Sequence, residues 1–471
     1  MTRYTLTIFD HQKEALKHAL RFDGLEDAAL MLCGRAEHRD PWTGEMEHRF
    51  IVYEVVPIPA EHIEDRTPTS VTWSTTPFYN LLKRASKKGF AVAAVHTHPS
   101  GHLSFSAQDD QEEKGLFAIP FNRDESIKPH LSIIMTPEGG IAARAYGPDL
   151  EPKPITMLRT IGRKWSFDYP GRTTFVTPEA LDRQARVFTG ASIHDLMQLR
   201  VGIAGVGGTG SAVALFLARI GVSKLALFDR DRVAHTNLNR LHFSRQYDAN
   251  LGRLKVDVVA EAIAGLGLST SIRPFEYAVD EAIVRDAVKS CDVIFGCTDD
   301  HLGRSMLNRL AYFFGIPVID MGVLIQSDDS GTGYEAFDGR VTVVQPGHTC
   351  QLCRSLIDPD RARAESLLRN DPAEYLRQRQ AGYVPDELEP APVVVTFTTE
   401  VAAMAVNEMF QRLTGFRGLD GSCAERVRRF DDPKPRDMIA GCPSRPGCPI
   451  CADTRRYDGR GDMIPFLDMA G

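Results

Sequence analysis

Three short stretches of this chain carry side chains that could do chemistry. In "VHTHPSGHLSFSAQDD", residues 95–110, His96 and His98 stand two apart at the end of an apolar run. A strand sends alternate side chains to the same face, so both imidazoles share one wall. Asp109, at the start of the next segment, could close the site from the opposite wall. Three ligands leave a fourth position for water, as a catalytic zinc requires, and zinc brings the pKa of that water from about 15.7 to about 7. A plainer reading fits the same residues: Ser106 caps a helix whose first turn is acidic, as the helix dipole favours. The second stretch, "GIAGVGGTG", puts Gly205, Gly207, Gly208 and Gly210 between an apolar strand and an apolar helix. That turn lets backbone N–H groups approach a phosphate at a helix N-terminus, and Asp229, 21 residues after Gly208, ends the next strand where a carboxylate can hold ribose hydroxyls. In the third, Cys350 and Cys353 ("CQLC") and Cys448 and Cys451 ("CPIC") form two Cys-x-x-Cys pairs with the spacing of a closed tetrahedral structural zinc. Cys442 is a spare that could substitute as a ligand.

The elements that must position these groups follow from where the patterns change. The 471 residues are too many for one ordinary core, so two domains are expected. Residues 1–150 alternate strand-like runs such as "AALMLCG", "RFIVYEVVPI", "AVAAVHTH" and "HLSIIMT" with a few helices, an α+β pattern. Residues 151–175, rich in Pro, Gly and charge, read as a linker. Residues 176–471 open with strand, glycine turn, long apolar helix and strand, the order of an α/β doubly wound parallel sheet.

Composition sets further bounds. With 43% hydrophobic and 25% charged residues the chain reads as a globular protein, and a net charge of -7, from 62 acidic and 55 basic residues, argues against nucleic acid as a partner. The polar start and the lack of an apolar run near 20 residues predict neither a signal peptide nor a membrane span. Nine cysteines, four of them in Cys-x-x-Cys pairs, predict a reducing, cytoplasmic setting. Cys33, Cys291 and Cys297 lie in apolar strand contexts and read as inert buried thiols.

Taken jointly, His-x-His-Pro, seven residues to Ser106 and two more to Asp109 resemble the motif of the JAMM (JAB1/MPN/Mov34) metalloproteases. The resemblance implies a cytidine-deaminase-like fold over residues 1–150, a catalytic zinc on His96, His98 and Asp109, and Ser106 as donor to a tetrahedral oxyanion. It also implies a glutamate just before the first core strand as proton carrier, which Glu26 in "GLEDAALMLCG" matches. Glu54, inside a strand-like run, is the competitor, and His102 is left as a loop residue.

The second half resembles the ThiF/MoeB and ubiquitin-activating enzyme superfamily, which adenylates the C-terminal glycine of ubiquitin-like proteins. The pieces that carry this are the glycine turn, Asp-x-Asp-x-Val from Asp229, Asn-Leu-Asn-Arg at 237–240, Gly-x-x-Lys ending at Lys255, and "DVIFGCTDD". The resemblance implies a Rossmann-like sheet with a structural zinc, ATP and Mg²⁺ as cofactors, Asp229 on the ribose, Asn237, Arg240 and Lys255 on the phosphates, and Asp299 on the magnesium. Cationic groups and Mg²⁺ are needed because a carboxylate and a triphosphate repel each other. Asp300 stands where the family often has Asn, leaving its role open. Arg183, in "LDRQARVF", matches an arginine that such homodimers pass into the partner's site, and equally reads as a surface arginine on a helix.

Together the resemblances imply a two-headed enzyme: a zinc peptidase, deubiquitinase-like, that trims or deconjugates a ubiquitin-like protein, and an adenylyltransferase that activates the exposed glycine. Such a fusion would gain from tethering through effective concentration. Ubiquitin-like conjugation with a conjugating-enzyme-like partner, phage defence being one setting, and sulfur-carrier activation for biosynthesis are both open, as is a first domain that only presents substrate. No cysteine occurs in residues 354–400, where thioester-forming relatives commonly carry one. The unassigned candidates outside apolar strands are Cys423 and Cys442; Cys423, beside Arg426, Arg428 and Arg429, which could lower a thiol pKa, reads as part of a solvated basic turn, so the acyl-adenylate is expected to pass on without a thioester.

Overall fold

The computed structural model describes residues 2–123, 128–171, 175–327, 334–384, 392–418, 420–432, 437–439, 441–451 and 458–463. The first half runs β1 (Thr2–Phe9), α1 (Asp10–Ala19), β2 (Ala28–Arg39), β3 (Met46–Pro57), β4 (Ile63–Thr67), β5 (Ser70–Trp73), α2 (Thr76–Lys88), β6 (Ala91–Thr97), α3 (Ala107–Arg123), β7 (His130–Met135), β8 (Ile141–Tyr146), β9 (Pro152–Pro154), β10 (Met157–Ile161) and β11 (Ser166–Asp168). Nine of these strands form one sheet in the order β11-β10-β1-β3-β2-β6-β7-β8-β9, and β4 and β5 make a separate hairpin. Helix α2 shows how local sequence sets an element. Pro77 sits in its first turn, Phe78, Leu81, Leu82 and Ala85 repeat at helical spacing and are buried, and Gly89 ends it in the left-handed conformation.

The second half contains α4 (Asp182–Gln198), β12 (Arg200–Ala204), α5 (Gly208–Arg219), β13 (Lys224–Phe228), α6 (Gln246–Leu251), α7 (Lys255–Ala264), β14 (Ser271–Phe275), α8 (Arg285–Ser290), β15 (Val293–Gly296) and α9 (His301–Phe313). It continues with β16 (Val318–Ser327), β17 (Tyr334–Val344), α10 (Pro359–Asn370), α11 (Pro372–Gln380), α12 (Val395–Thr414), β18 (Glu425–Arg429) and β19 (Asp437–Ile439). The sheet order is β14-β13-β12-β15-β16-β17-β18-β19. Pairings from β14 through β16 are parallel and those from β16 onward antiparallel. The α+β first half and the doubly wound second half agree with the sequence reading.

The segment 151–175 is a correction. It holds β9, β10 and β11, all in the first sheet, and not a free linker. Pro152 and Pro154 fall at the edge strand β9, where a missing N–H breaks no inner ladder, and Pro170 follows β11, while Met157–Ile161 pairs in parallel with Thr5–Phe9.

The halves meet through a shared core and a buried charged seam. Phe9, Ile51, Ile161, Trp165 and Phe167 of the first half pack in one apolar cluster with Val201, Ile203 and Phe295 of the second. Arg200 donates to Asp40 at 3.0 Å, to Glu47 at 2.8 Å and to Asp292 at 3.0 Å, and Arg159 donates to Glu47 at 3.1 Å and Asp292 at 2.8 Å. Burial works to raise the Glu47 and Asp292 carboxyls, but Arg200 and Arg159 hold both well below the usual carboxylate range. A strap, residues 458–463, lies along the same seam. Gly459 and Gly461 donate to the Tyr312 and Phe313 carbonyls at 2.9 and 2.7 Å, and the Asp462 N–H donates to the Arg35 carbonyl at 2.7 Å. A side chain at Gly459 or Gly461 would strike β2 or β3, since a Cβ at Gly461 would sit 2.1 Å from the Arg35 carbonyl and one at Gly459 2.7 Å from that of Val52.

Candidate active sites

The first site lies where β6 ends beside the start of β2, with Ala28 and His96 in register. His96 and His98 sit on one side of the sheet with their Nε2 atoms 3.1 Å apart, and His96 Nε2 is 3.3 Å from Asp109 Oδ1 at the N-terminus of α3. Two ligands about 2.0–2.1 Å from a zinc ion lie about 3.3 Å apart at the tetrahedral angle, so the three residues fit that ion. The His98 Nδ1 lies 2.9 Å from the His102 carbonyl. A carbonyl only accepts, so Nδ1 carries the proton and Nε2 keeps its lone pair for a metal. The loop residue His102 thus contributes through its backbone.

Ser106 and Asp109 form a reciprocal cap. The Ser106 N–H donates to Asp109 Oδ2 at 2.5 Å and the Asp109 N–H to Ser106 Oγ at 3.1 Å. The structural and chemical readings of Asp109 therefore hold together: the cap fixes the carboxylate that faces His96. Burial tends to raise the Asp109 carboxyl, but the His96 hydrogen bond and the Ser106 N–H hold it well below the usual range.

Glu26 is buried, with Oε1 4.0 Å from His98 Nε2, and burial pushes its carboxyl up to about 7. Its backbone is clamped by the β4–β5 hairpin. The Glu26 N–H donates to the Thr67 carbonyl at 2.8 Å, and Arg66 Nε donates to the Glu26 carbonyl at 2.8 Å. Glu54 is elsewhere, on β3, paired with Arg84 at 2.5 Å. A cavity of about 360 Å³ opens beside His96 and Asp109, walled by Val71 and Trp73 of the hairpin and Leu116 and Ile119 of α3. The hairpin was not foreseen, although "SVTW" after the turn "RTPT" alternates as a strand does.

The second site lies at the C-terminal ends of β12, β13 and β15, where the strand order reverses about β12, the usual position of a ligand on such a sheet. Gly205 has φ +87° and its missing Cβ would lie 2.8 Å from the Cys297 carbonyl, while a Cβ on Gly210 would lie 1.9 Å from the Gly205 carbonyl. Gly207 precedes α5 and Gly208 starts it, under the Arg240 backbone. Asp229 accepts from the Val206 N–H at 2.7 Å and the Asp231 N–H at 2.8 Å, which fixes its carboxylate beneath the glycine turn. Lys255 reaches Asp231 at 2.7 Å, Asn237 accepts from the Ala234 N–H at 3.0 Å, and Arg240 holds Asn239 at 3.2 Å. Arg240 lies over the turn at Gly208, and Lys255 opens α7. Asp300 caps α9, accepting from the Gly303 N–H at 2.8 Å, so the exposed neighbour Asp299 is the carboxylate left for solvent or a cation. Arg183 lies exposed on α4.

The four thiols of Cys350, Cys353, Cys448 and Cys451 are buried and lie within 4.8 Å of one another. Cys350 Sγ is 3.7 Å from Cys448 Sγ and Cys353 Sγ 3.5 Å from Cys451 Sγ, close to the roughly 3.8 Å that zinc–sulfur bonds of about 2.3 Å require. Cys442 lies outside this group, its Sγ 3.7 Å from the Cys353 carbonyl. Cys33 and Cys291 are buried, and burial pushes both thiols up to about 12. Cys297 is half-buried, just past β15, and burial raises its thiol. Cys423 corrects the solvated-turn reading: it is buried, and burial raises its thiol despite Arg426.

The sequence profile of the ThiF family matches residues 181–450, and that of the prokaryotic homologs of the JAB domain matches residues 10–146. Among curated proteins the chain is similar to the SAMP-activating enzyme E1 of Haloferax volcanii, 31% identical over 160 residues, 34% of this chain and 54% of that protein. It is also similar to the molybdopterin-synthase adenylyltransferase of Escherichia coli, 30% identical over 171 residues, 36% of this chain and 63% of that protein. The match thus spans between half and two-thirds of each relative's length. The solved structure of Escherichia coli MccB with ATP aligns over 58% of this chain and 75% of that one, at 15% identity and a TM-score of 0.43. A glycine turn, an anchored Asp229 and three of the four clustered thiols in one profile match that covers more than half of the residues lead to one statement: the chain belongs to the ThiF family and carries a JAB-type domain in front of it.

Proposed function

We propose that the chain is a bifunctional enzyme of a ubiquitin-like pathway. Its JAB-type head hydrolyses the bond after the C-terminal glycine of a ubiquitin-like protein, and its ThiF head adenylates that glycine with ATP and Mg²⁺. The observation that carries the first half is the convergence of His96, His98 and Asp109 with Glu26 4.0 Å from His98 beside an open cavity. A binding-only domain has no need of a buried glutamate facing those imidazoles.

When bound, zinc supplies Lewis acidity that makes water a nucleophile near neutral pH. Glu26 takes a proton and returns it to the leaving amine, a task suited to a carboxyl whose burial brings it near 7. Ser106 Oγ accepts from the Asp109 N–H and keeps its own proton free to donate to an oxyanion. In the second head Gly205, Gly207, Gly208 and Gly210 admit the phosphates against the backbone, and Asp229 holds the ribose. Asn237, Arg240 and Lys255 neutralise phosphate charge, Lys255 exchanging Asp231 for the nucleotide, and Asp299 takes Mg²⁺. Cys350, Cys353, Cys448 and Cys451 hold a structural zinc. Arg183 completes the site of a second copy in a homodimer.

The substrate is a ubiquitin-like or sulfur-carrier protein, and the names of the two relatives, one SAMP-activating and one acting for molybdopterin synthase, support both. The acyl-adenylate passes to a conjugating-enzyme-like protein or a sulfur donor. A cytoplasmic setting fits the free thiols, and among the described residues no helix is long and apolar enough to cross a membrane. Purified protein with Zn²⁺, ATP, Mg²⁺ and a ubiquitin-like protein extended past its glycine tests the proposal. Trimming together with pyrophosphate exchange supports it, and the lack of both overturns it.

A further inference from the structure

The proposed metal site needs its two walls held at ligand distance. His96 belongs to β6 and Asp109 to α3, and residues 100–104 of the loop between them are exposed. The reciprocal cap of Ser106 and Asp109 lies within one turn. It therefore orients the carboxylate on the helix but not the helix on the sheet.

Arg144 joins the two from the sheet side. Across β6, β7 and β8, Ala94 pairs with Ser132 and Ser132 with Arg144, so the three side chains share one face of the sheet. His96, two residues past Ala94, shares that face as well. The buried Arg144 meets α3 at two places one turn apart: its Nε donates to Glu113 Oε2 at 2.8 Å, and its Nη1 donates to Asp110 Oδ1. Ser132 Oγ donates to Glu113 Oε1 at 2.6 Å. The guanidinium also lies over the loop, its carbon 3.8 Å from the centroid of the Phe105 ring. That ring meets the His96 imidazole edge-on, with centroids 6.3 Å apart. One planar cation thus ties Phe105 ahead of the helix, Asp110 in its first turn and Glu113 in its second to the sheet that carries His96.

We infer that Arg144 is a positioning residue of the metal site: it sets the Asp109 carboxylate against His96 through Asp110, Glu113 and Phe105. The inference rests on the proposed reading of His96, His98 and Asp109 as the ligands of a zinc ion. Fork and stack both need a guanidinium, since an ammonium is a point charge on a flexible stem. Partners that orient metal ligands from behind are worth about 10–100-fold in metal affinity. The sign of the effect separates positioning from charge. Removing a cation near a metal ion strengthens binding by electrostatics alone, whereas losing the clamp weakens it.

The test uses the full chain with zinc in the thiol site and follows zinc at the histidine site by competition with a chelator. Arg144→Met should weaken that zinc about tenfold or more and alter the visible spectrum of cobalt(II) put in its place, with Arg144→Lys falling between. Alone, Arg144→Met leaves the buried Glu113 short of a partner, so the decisive variant adds Glu113→Gln. The pair removes one charge of each sign and should show the same loss. Phe105→Leu, on the half-buried loop position, keeps every ion pair and should weaken zinc by less. Zinc held as tightly as in the parent chain, with an unchanged cobalt spectrum, in the double variant and in Phe105→Leu overturns the inference. A parent chain that binds no zinc at His96, His98 and Asp109 overturns the proposed peptidase and this inference together. One that binds zinc without trimming counts against the proposed function alone.

Discussion

The two zinc-type ligand sets of this chain use their surroundings in opposite ways. His96, His98 and Asp109 offer three donor atoms of zinc-ligand type at the rim of a cavity, with a carboxylate near by that, among the described residues, makes no ion pair with a strong base. Cys350, Cys353, Cys448 and Cys451 offer four thiols of zinc-ligand type, all buried, closing on themselves beneath α9 and its Tyr312. The count of ligands and the access of water separate an ion that reacts from one that only holds the chain. The difference teaches that function here is read from what is left open.

Five outcomes would break or sharpen that contrast. Cys448→Ser removes a ligand of the closed site and should lower bound zinc by about one equivalent and stability by at least about 3 kcal/mol, read by metal analysis and thermal melting. An equal loss of stability in His98→Ala would erase the distinction. Next, Glu26→Gln should cut trimming by about two to four orders of magnitude with zinc content and pyrophosphate exchange unchanged.

The seam gives the comparison a metal-free standard. Asp292→Asn leaves Arg200 and Arg159 underpaired and should cost about 3 kcal/mol without loss of zinc. The sign with pH follows from the depressed Asp292 and Glu47 carboxyls. Their stabilisation is fully present above the unfolded carboxylate pKa, about 4, and drains away as pH falls through the lower folded values. Denaturant midpoints should therefore be flat from about pH 7 to 5 and fall below about 4, more gently in the variant. Smallest of all, Cys423→Ala should leave adenylation unchanged and remove no thiol-sensitive adduct on a non-reducing gel, since the buried thiol is raised.

What could be read in the chain beforehand has a physical boundary. The metal ligands and the glycine turn announce themselves because the chemistry needs fixed local spacings, two along a strand or one turn into a helix. Asp300 was legible in principle, as an acid three residues before Gly303, yet its capping role emerges only once α9 is seen to start there. The clamp on Glu26 was hidden because Arg66 and Thr67 lie about forty residues away on a hairpin with weak patterning. β10 was lost among prolines because its pairing with β1 joins residues more than 150 apart, and the seam joins Glu47 to Arg200 and Asp292. Local periodicity carries no record of such partners.

The stretches outside both family matches, residues 1–9, 147–180 and those after 450, hold β1, β9, β10, β11 and the strap. A gene cut at the margins of the recognised families would yield a first half without β1 and the strands β10 and β11 beside it, and a second half with Arg200 and Asp292 bared to water. Neither piece is a portable unit. Recombination that shuffles heads among such fusions must therefore carry the joining stretches along or rebuild them, so descent in this lineage is expected to follow the whole chain, with the two heads inherited as one.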